Sequence, residues 1–296
     1  MLGLMQDWPL LVHRVLDHAA TYAGDKEIVT RSIEGPVRRT TWGGIHNRSL
    51  RLAKALTKRG VKPGDRLATL AWNTERHLEA WYGITGAGGV YHTLNPRLFP
   101  EQLVYIANHA EDRMIFVDLT FVPILEKLQD QLKTIETYVI LTDAAHMPQT
   151  GLRNAVAYED LLTEADDDFD WLTLDENAAC GLCYTSGTTG NPKGVLYSHR
   201  SNVLHAMAAL QADVLALCNA DTVLPIVPMF HANAWSLAFS VPMTGAKMVM
   251  PGQKLDGESV YNLLEGEQIT MSAAVPTVWL MLLQHMEANN LKLSTL

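Results

Sequence analysis

The densest chemistry in the sequence lies in eleven residues, Tyr184-Thr-Ser-Gly-Thr-Thr-Gly-Asn-Pro-Lys-Gly194. Gly187, Gly190 and Gly194 let the backbone bend and bring its N–H groups close to a ligand. Thr185, Ser186, Thr188 and Thr189 add hydroxyl donors, and Lys193 adds a point positive charge. Together these residue types make a cradle for a polyphosphate. The pattern is not a Walker A loop, because the position that needs the second glycine is occupied by Pro192. A plain polar surface loop is the alternative. Four aliphatic hydroxyls packed among glycines directly after an apolar strand argue against it.

Other residues that could do chemistry are weaker candidates. His231 and Trp235 in Pro228-Met-Phe-His-Ala-Asn-Ala-Trp235 are four apart, so on a helix over 230–240 they share a face. A packed helix with a satisfied core histidine reads the same way. Cys180 and Cys183 form a CxxC, but inside an apolar run that reads as a strand, where positions three apart face opposite ways. Two buried small hydrophobes are the better reading. Gly86-Ala-Gly88-Gly89 follows a helix and precedes a strand, the reverse of the dinucleotide-binding order, and suits close helix–strand packing. The acidic run Asp166-Asp-Asp-Phe-Asp170 reads as a solvated connector, since adjacent carboxylates cannot all converge on one ion. His199, His205, Trp42 and Trp279 have no claim beyond packing.

These residues must be positioned by alternating strands and helices. Thr41 caps a helix that stops at Gly60; strands are expected at 66–71, 89–92, 113–117 and 136–141, with helices at 74–85, 100–110 and 121–131 between them. A strand at 178–184 leads through a long loop to a helix at 199–213. Further strands follow at 222–227, 246–250 and 269–272, with helices at 230–240, 256–265 and 277–288. This alternation points to an α/β fold of mostly parallel sheets layered with helices. The acidic connector divides it into a first subdomain, 1–172, and a second, 173–296, that carries the phosphate loop.

Composition narrows the function. The chain has 296 residues, 48% hydrophobic and 19% charged, enough for a sizeable core. A net charge of −9 argues against nucleic acid, which demands a basic stripe, but leaves a nucleotide open. Three cysteines suit a reducing cytoplasm. No apolar run is long enough to span a membrane, and the N-terminus lacks a basic segment and meets Asp7 too early for a signal peptide.

The 184–194 segment resembles the phosphate-binding signature of adenylate-forming enzymes: acyl- and aryl-CoA synthetases, luciferases and peptide-synthetase adenylation domains. Pro228 to Trp235, Val275-Pro-Thr-Val-Trp279, Leu94-Asn-Pro-Arg-Leu98 and Glu101-Gln-Leu-Val-Tyr-Ile106 resemble the fatty acyl-CoA synthetase branch. Within that branch the chain looks most like medium-chain acyl-CoA ligases and methylmercaptopropionate–CoA ligases. The resemblance implies the large N-terminal domain of the adenylate-forming fold and an ATP-dependent acid–thiol ligase. Such an enzyme makes an acyl-adenylate from a small carboxylic acid, 3-methylmercaptopropionate among the candidates, and passes the acyl group to coenzyme A. It further implies that Thr185, Ser186, Gly187, Thr188, Thr189, Gly190 and Lys193 hold the ATP phosphates, with Thr188 as a ligand to Mg²⁺. By the same resemblance His231 lies beside the acyl carbonyl and α-phosphate as the catalytic residue. Trp235 gates the acyl tunnel, and Val275, Pro276 and Thr277 line its acyl side. Related synthetases often dimerise through this region, so a homodimer is expected.

Members of this family usually continue for roughly two hundred residues more, with the adenine, ribose and catalytic-lysine residues in that part. None of these is found before Leu296. The chain by itself is therefore expected to hold phosphates weakly and to be an inactive piece of a ligase. The other readings are a non-catalytic nucleotide-binding fragment and an adenylating enzyme with a different acyl acceptor.

Overall fold

The computed structural model describes residues 1, 3–185 and 191–296. The chain begins with helix α1 (Val12–Ala23), strands β1 (Glu27–Arg31) and β2 (Val37–Thr41), and helix α2 (Trp42–Lys58). Strands and helices then alternate through β3 (Arg66–Leu70), α3 (Glu75–Gly86), β4 (Val90–Thr93), α4 (Pro100–Ala110) and β5 (Met114–Val117). Helix α5 (Val122–Leu128), β6 (Thr137–Ile140), β7 (Ala155–Ala157) and α6 (Tyr158–Thr163) come next. Beyond the acidic connector lie β8 (Ala179–Thr185), β9 (Lys193–Ser198), α7 (His199–Ala209), β10 (Thr222–Pro225) and α8 (Leu237–Thr244). The last elements are β11 (Lys247–Met250), α9 (Gly257–Gly266), β12 (Met271–Ala273) and α10 (Pro276–Asn289).

Local chemistry accounts for many of the boundaries. Thr41 Oγ1 accepts from the Gly44 N–H at 3.2 Å and Thr74 Oγ1 from the His77 N–H at 3.3 Å, capping α2 and α3. Pro100 opens α4 where its missing N–H costs nothing. Among the described residues no helix is long and apolar enough to cross a membrane.

The strands form a seven-stranded sheet in the order β7-β6-β5-β3-β4-β8-β9 and a five-stranded sheet in the order β12-β10-β11-β1-β2. Both are parallel apart from β8–β9 and β1–β2, which are antiparallel. The division expected near residue 172 does not separate the sheets. β1 pairs with β11, and β8 pairs with β4, so each half lends strands to the other's sheet. Parallel strands find partners through crossovers, and the apolar faces they must bury decide those partners, not nearness in sequence.

The acidic connector is held against α2, with Lys54 bonded to Asp166 and to the Asp168 carbonyl. Trp171 beyond it packs over Gly86, and a Cβ at Gly86 would overlap the Trp171 ring. The glycine-rich turn is thus a packing feature, but Gly86 meets the connector and not the helix–strand contact expected. Helices α2, α3 and α6 are joined by ion pairs, Arg48 to the fully buried Glu79 and to Glu159, with Arg76 to Glu159.

At the ends of β3 and β5 the Trp72 N–H donates to Asp118 Oδ2 at 2.7 Å. Burial, with smaller contributions from the Glu34 and Glu75 charges, pushes the Asp118 carboxyl up to about 8.

Gly86→Ala should destabilise the fold by about 1–3 kcal/mol, read by urea denaturation, because the indole has to move. An unchanged midpoint would mean that Trp171 is loosely held. The raised Asp118 value makes a second prediction. A neutral Asp118 favours the folded state below about pH 4, and this contribution is lost as pH rises through about 8. Asp118→Asn keeps an acceptor for Trp72 and cannot ionise. Its stability relative to the parent should therefore improve by at least ~1 kcal/mol between pH 5 and pH 8. A stability difference that does not change with pH would refute the assignment.

Candidate functional site

Parallel sheets bind ligands beyond the carboxyl ends of their strands, most often where the strand order reverses. In the seven-stranded sheet the chain runs from β3 to β4 on one side and returns to β5 on the other. A cleft of about 210 Å³ opens at that end, between the two sheets. The segment after β3 contributes Trp72 and Asn73, and the segment after β4 contributes Asn95 and Arg97. From the five-stranded sheet, Ile226 to His231 come after β10, Pro251 and Gly252 after β11, and Val275 after β12. The wall is mainly apolar, and His231, Asn73, Asn95 and Arg97 are its polar groups.

Asn73 holds the cleft floor together. Its side-chain N–H₂ donates to Pro225 O at 2.8 Å and Val227 O at 2.9 Å, and its Oδ1 accepts from the Met229 N–H at 2.8 Å. Its carbonyl accepts from the Gly252 N–H at 3.1 Å. Gly252 has φ +66°, and a Cβ there would overlap the Arg31 carbonyl oxygen. Sequence reasoning missed Asn73; the available signal was an amide side chain directly after an apolar strand and before the capping residue Thr74.

The expected helix over 230–240 does not form, and His231 and Trp235 do not share a helical face. Ala232, Asn233, Ala234, Trp235 and Ser236 have φ of +46°, +52°, +50°, +54° and +70°, a left-handed turn, and right-handed helix starts only at Leu237. Left-handed residues other than glycine cost energy, and they persist where the surroundings leave the chain no other course. Here Asn73 holds the turn's entry at Met229, and buried Asn233 anchors its middle by donating to Asn202 Oδ1 at 3.2 Å. His231 therefore lines the cleft while Trp235, 47% exposed, does not. Val275 is a wall residue, whereas Pro276 and Thr277 lie exposed on the first turn of α10 and are not part of the wall.

The long loop expected after residue 184 is instead interrupted by β9, antiparallel to β8. Thr185 and Lys193 are the last cross-strand partners before the residues that connect β8 to β9, both exposed. Lys193 makes no ion pair with any described residue. Ser186, Gly187, Thr188, Thr189 and Gly190 lie outside the described residues.

The base of the hairpin is tied to the cleft. Thr93 Oγ1 lies 3.1 Å from Cys183 Sγ and 3.4 Å from Phe230 O, and Cys183 Sγ lies 3.7 Å from Asn233 Oδ1. An uncommitted cation, exposed hydroxyl Thr185 and an apolar cleft bearing an imidazole are thus held in one framework. Both thiols of the CxxC are buried and unpaired; burial pushes Cys180 up to about 12 and raises Cys183. Thiols so poised pack and do not attack. Beside the hairpin, buried His92 and Asp112 pair at 2.8 Å, and Tyr184 meets His109 at 2.6 Å.

The family model for AMP-binding enzymes matches residues 16–296. The 3-methylmercaptopropionyl-CoA ligase of Ruegeria lacuscaerulensis is 48% identical over 296 residues, which is 100% of this chain and 55% of that protein. The medium-chain-fatty-acid–CoA ligase of Ectopseudomonas oleovorans is 46% identical over 100% of this chain and 54% of its own length. The chain spans about half the length of these curated relatives. Among solved structures, an anthranilate CoA ligase in complex with anthranoyl-AMP superposes with a TM-score of 0.85 at 23% identity, over 98% of this chain and 54% of its own. The N-terminal domain of FACL13 from Mycobacterium tuberculosis gives 0.81 at 24% identity, over 96% and 67%. At such identities these structures establish the fold alone. With the match running through nearly every element of both sheets, the chain belongs to the AMP-binding enzyme family.

Proposed function

We propose that the protein of which this chain forms part is an AMP-forming acid–CoA ligase for a small or medium-chain carboxylic acid, with 3-methylmercaptopropionate as the leading substrate. The observation that carries the reading is the coupling, through Thr93 and Cys183, of the Lys193 hairpin to the apolar cleft bearing His231. The acid's carboxylate attacks the α-phosphorus of ATP, forming acyl-AMP and releasing pyrophosphate. The thiol of coenzyme A then attacks the acyl carbonyl carbon and AMP leaves with the bonding electron pair.

In this reading Thr185 to Gly190 and Lys193 hold the β- and γ-phosphates, and the chain neutralises charge and fixes geometry without a protein nucleophile. Mg²⁺ bound with ATP supplies further neutralisation, and Thr188 is its proposed ligand. His231 at the cleft lip hydrogen-bonds the carboxylate and the developing α-phosphate charge. Val275 bounds the acyl chain. Trp235, exposed on the left-handed turn and directed away from the cleft, is not given the gating role that the resemblance implies. A cytoplasmic location accords with three unpaired cysteines. A homodimer is supported by exposed Trp8 and Met207, which border one apolar groove.

In the complete protein, Lys193→Ala and Thr188→Ala should each lower ATP–pyrophosphate exchange by roughly 10²–10³-fold with little change in melting temperature. Exchange at the parental rate in both variants would remove the hairpin from the mechanism. Val275→Phe should shorten the acyl pocket and lower kcat/KM for octanoate about 10-fold more than for 3-methylmercaptopropionate. An equal loss for both acids would place Val275 outside the pocket.

A further inference from the structure

On another part of the molecule, Glu34, Asp143 and His146 each present one ligand atom, all within 4.8 Å of one another. Glu34 lies in the turn between β1 and β2, while Asp143 and His146 lie in the loop after β6. The Glu34 side chain is only 4% exposed. Its Oε1 accepts from the Arg76 guanidinium and from Thr142 Oγ1, the latter at 2.9 Å. Its Oε2 is buried and has no hydrogen-bond partner among the described residues. A buried carboxylate oxygen without a donor is costly, and it persists where something outside the chain satisfies it. In the neighbouring Arg76, Nε is bonded to Glu159 at 2.9 Å and Nη1 to the other Glu34 oxygen, while Nη2 is also buried and has no hydrogen-bond partner among the described residues.

We propose that Glu34, Asp143 and His146 form a three-ligand site for a divalent transition-metal ion of the zinc class, clipping the β1–β2 turn to the β6–β7 loop. Two carboxylate oxygens and one imidazole nitrogen suit Zn²⁺ or Mn²⁺ and leave a position for water. Calcium wants six to eight oxygens and is disfavoured. Asp143 Oδ1 already accepts from the His146 N–H and lies 2.8 Å from His146 Nδ1, so the loop holds its two ligands together before an ion arrives. Because β1 and β2 belong to one sheet and β6 and β7 to the other, the ion would cross-link the two sheets. This site is separate from the cleft and does not depend on the acyl-transfer reading.

The test is calorimetric titration of the EDTA-stripped chain with ZnCl₂, with thermal melting alongside. The expected result is one equivalent bound at micromolar or tighter Kd and a raised melting temperature. His146 is exposed, so His146→Ala should fold normally, bind at least ~10-fold more weakly and lose the thermal shift. Cys218→Ser, which removes the one exposed thiol among the described residues, should bind as the parent does. Absence of saturable binding would overturn the proposal. So would equal affinity in His146→Ala, or loss of binding in Cys218→Ser.

Discussion

The side-chain amide of Asn73 is the contact on which the two sheets and the cleft between them depend. Each sheet satisfies its own backbone internally, but the strand ends leave carbonyls and N–H groups pointing into the space between sheets. Asn73 supplies both donors to Pro225 and Val227 and the acceptor for Met229. An amide is the side chain that can do both: a carboxylate lacks the donors, and leucine would leave three buried backbone groups unpaired. Each such group costs about 1–3 kcal/mol when orphaned. The adjoining contact with Gly252 continues the seam, and only glycine fits there at φ +66°.

Fixing Met229 in this way constrains the residues after it. Between Pro228 and α8 the chain makes five left-handed residues, Ala232 to Ser236. The same detour turns His231 toward the cleft and Trp235 away. It also brings Asn233 onto Cys183, so that the hairpin carrying Lys193 and the turn carrying His231 share one buried polar junction. Two segments linked this directly cannot drift apart by a loop movement alone.

Charge is distributed in keeping with that arrangement. Arg48 and Arg76 are consumed in packing α2, α3 and α6, paired to Glu79, Glu159 and Glu34. Lys193 and Arg97, by contrast, form no ion pair among the described residues, and they sit at the hairpin and the cleft mouth. In an acidic chain of net charge −9, unpaired cations at these two places make the local potential less negative than elsewhere.

Much of this was legible from residue order. The alternation from β3 to α5 and from β10 to α10 arises from apolar periodicity, with Thr41, Thr74 and Pro100 marking helix starts. The segment 184–194 stands out in the sequence as a candidate phosphate cradle through its glycines, hydroxyls and lysine. The elements not anticipated are α1, β1, β2, β7, α6 and β9, and three of them carry weak local signals. β2 reads Val-Arg-Arg-Thr-Thr on a sheet edge, β9 opens with Lys-Gly, and β7 is three residues long. The sequence by itself determined the residue types, the helix caps and the class of fold, because periodicity and capping act over a few neighbouring residues. The tertiary structure alone decided the strand exchange between sheets, the left-handed turn and the membership of the cleft wall. Those depend on hydrogen bonds such as Asn73 to Val227, whose partners are 154 positions apart and which no local pattern encodes.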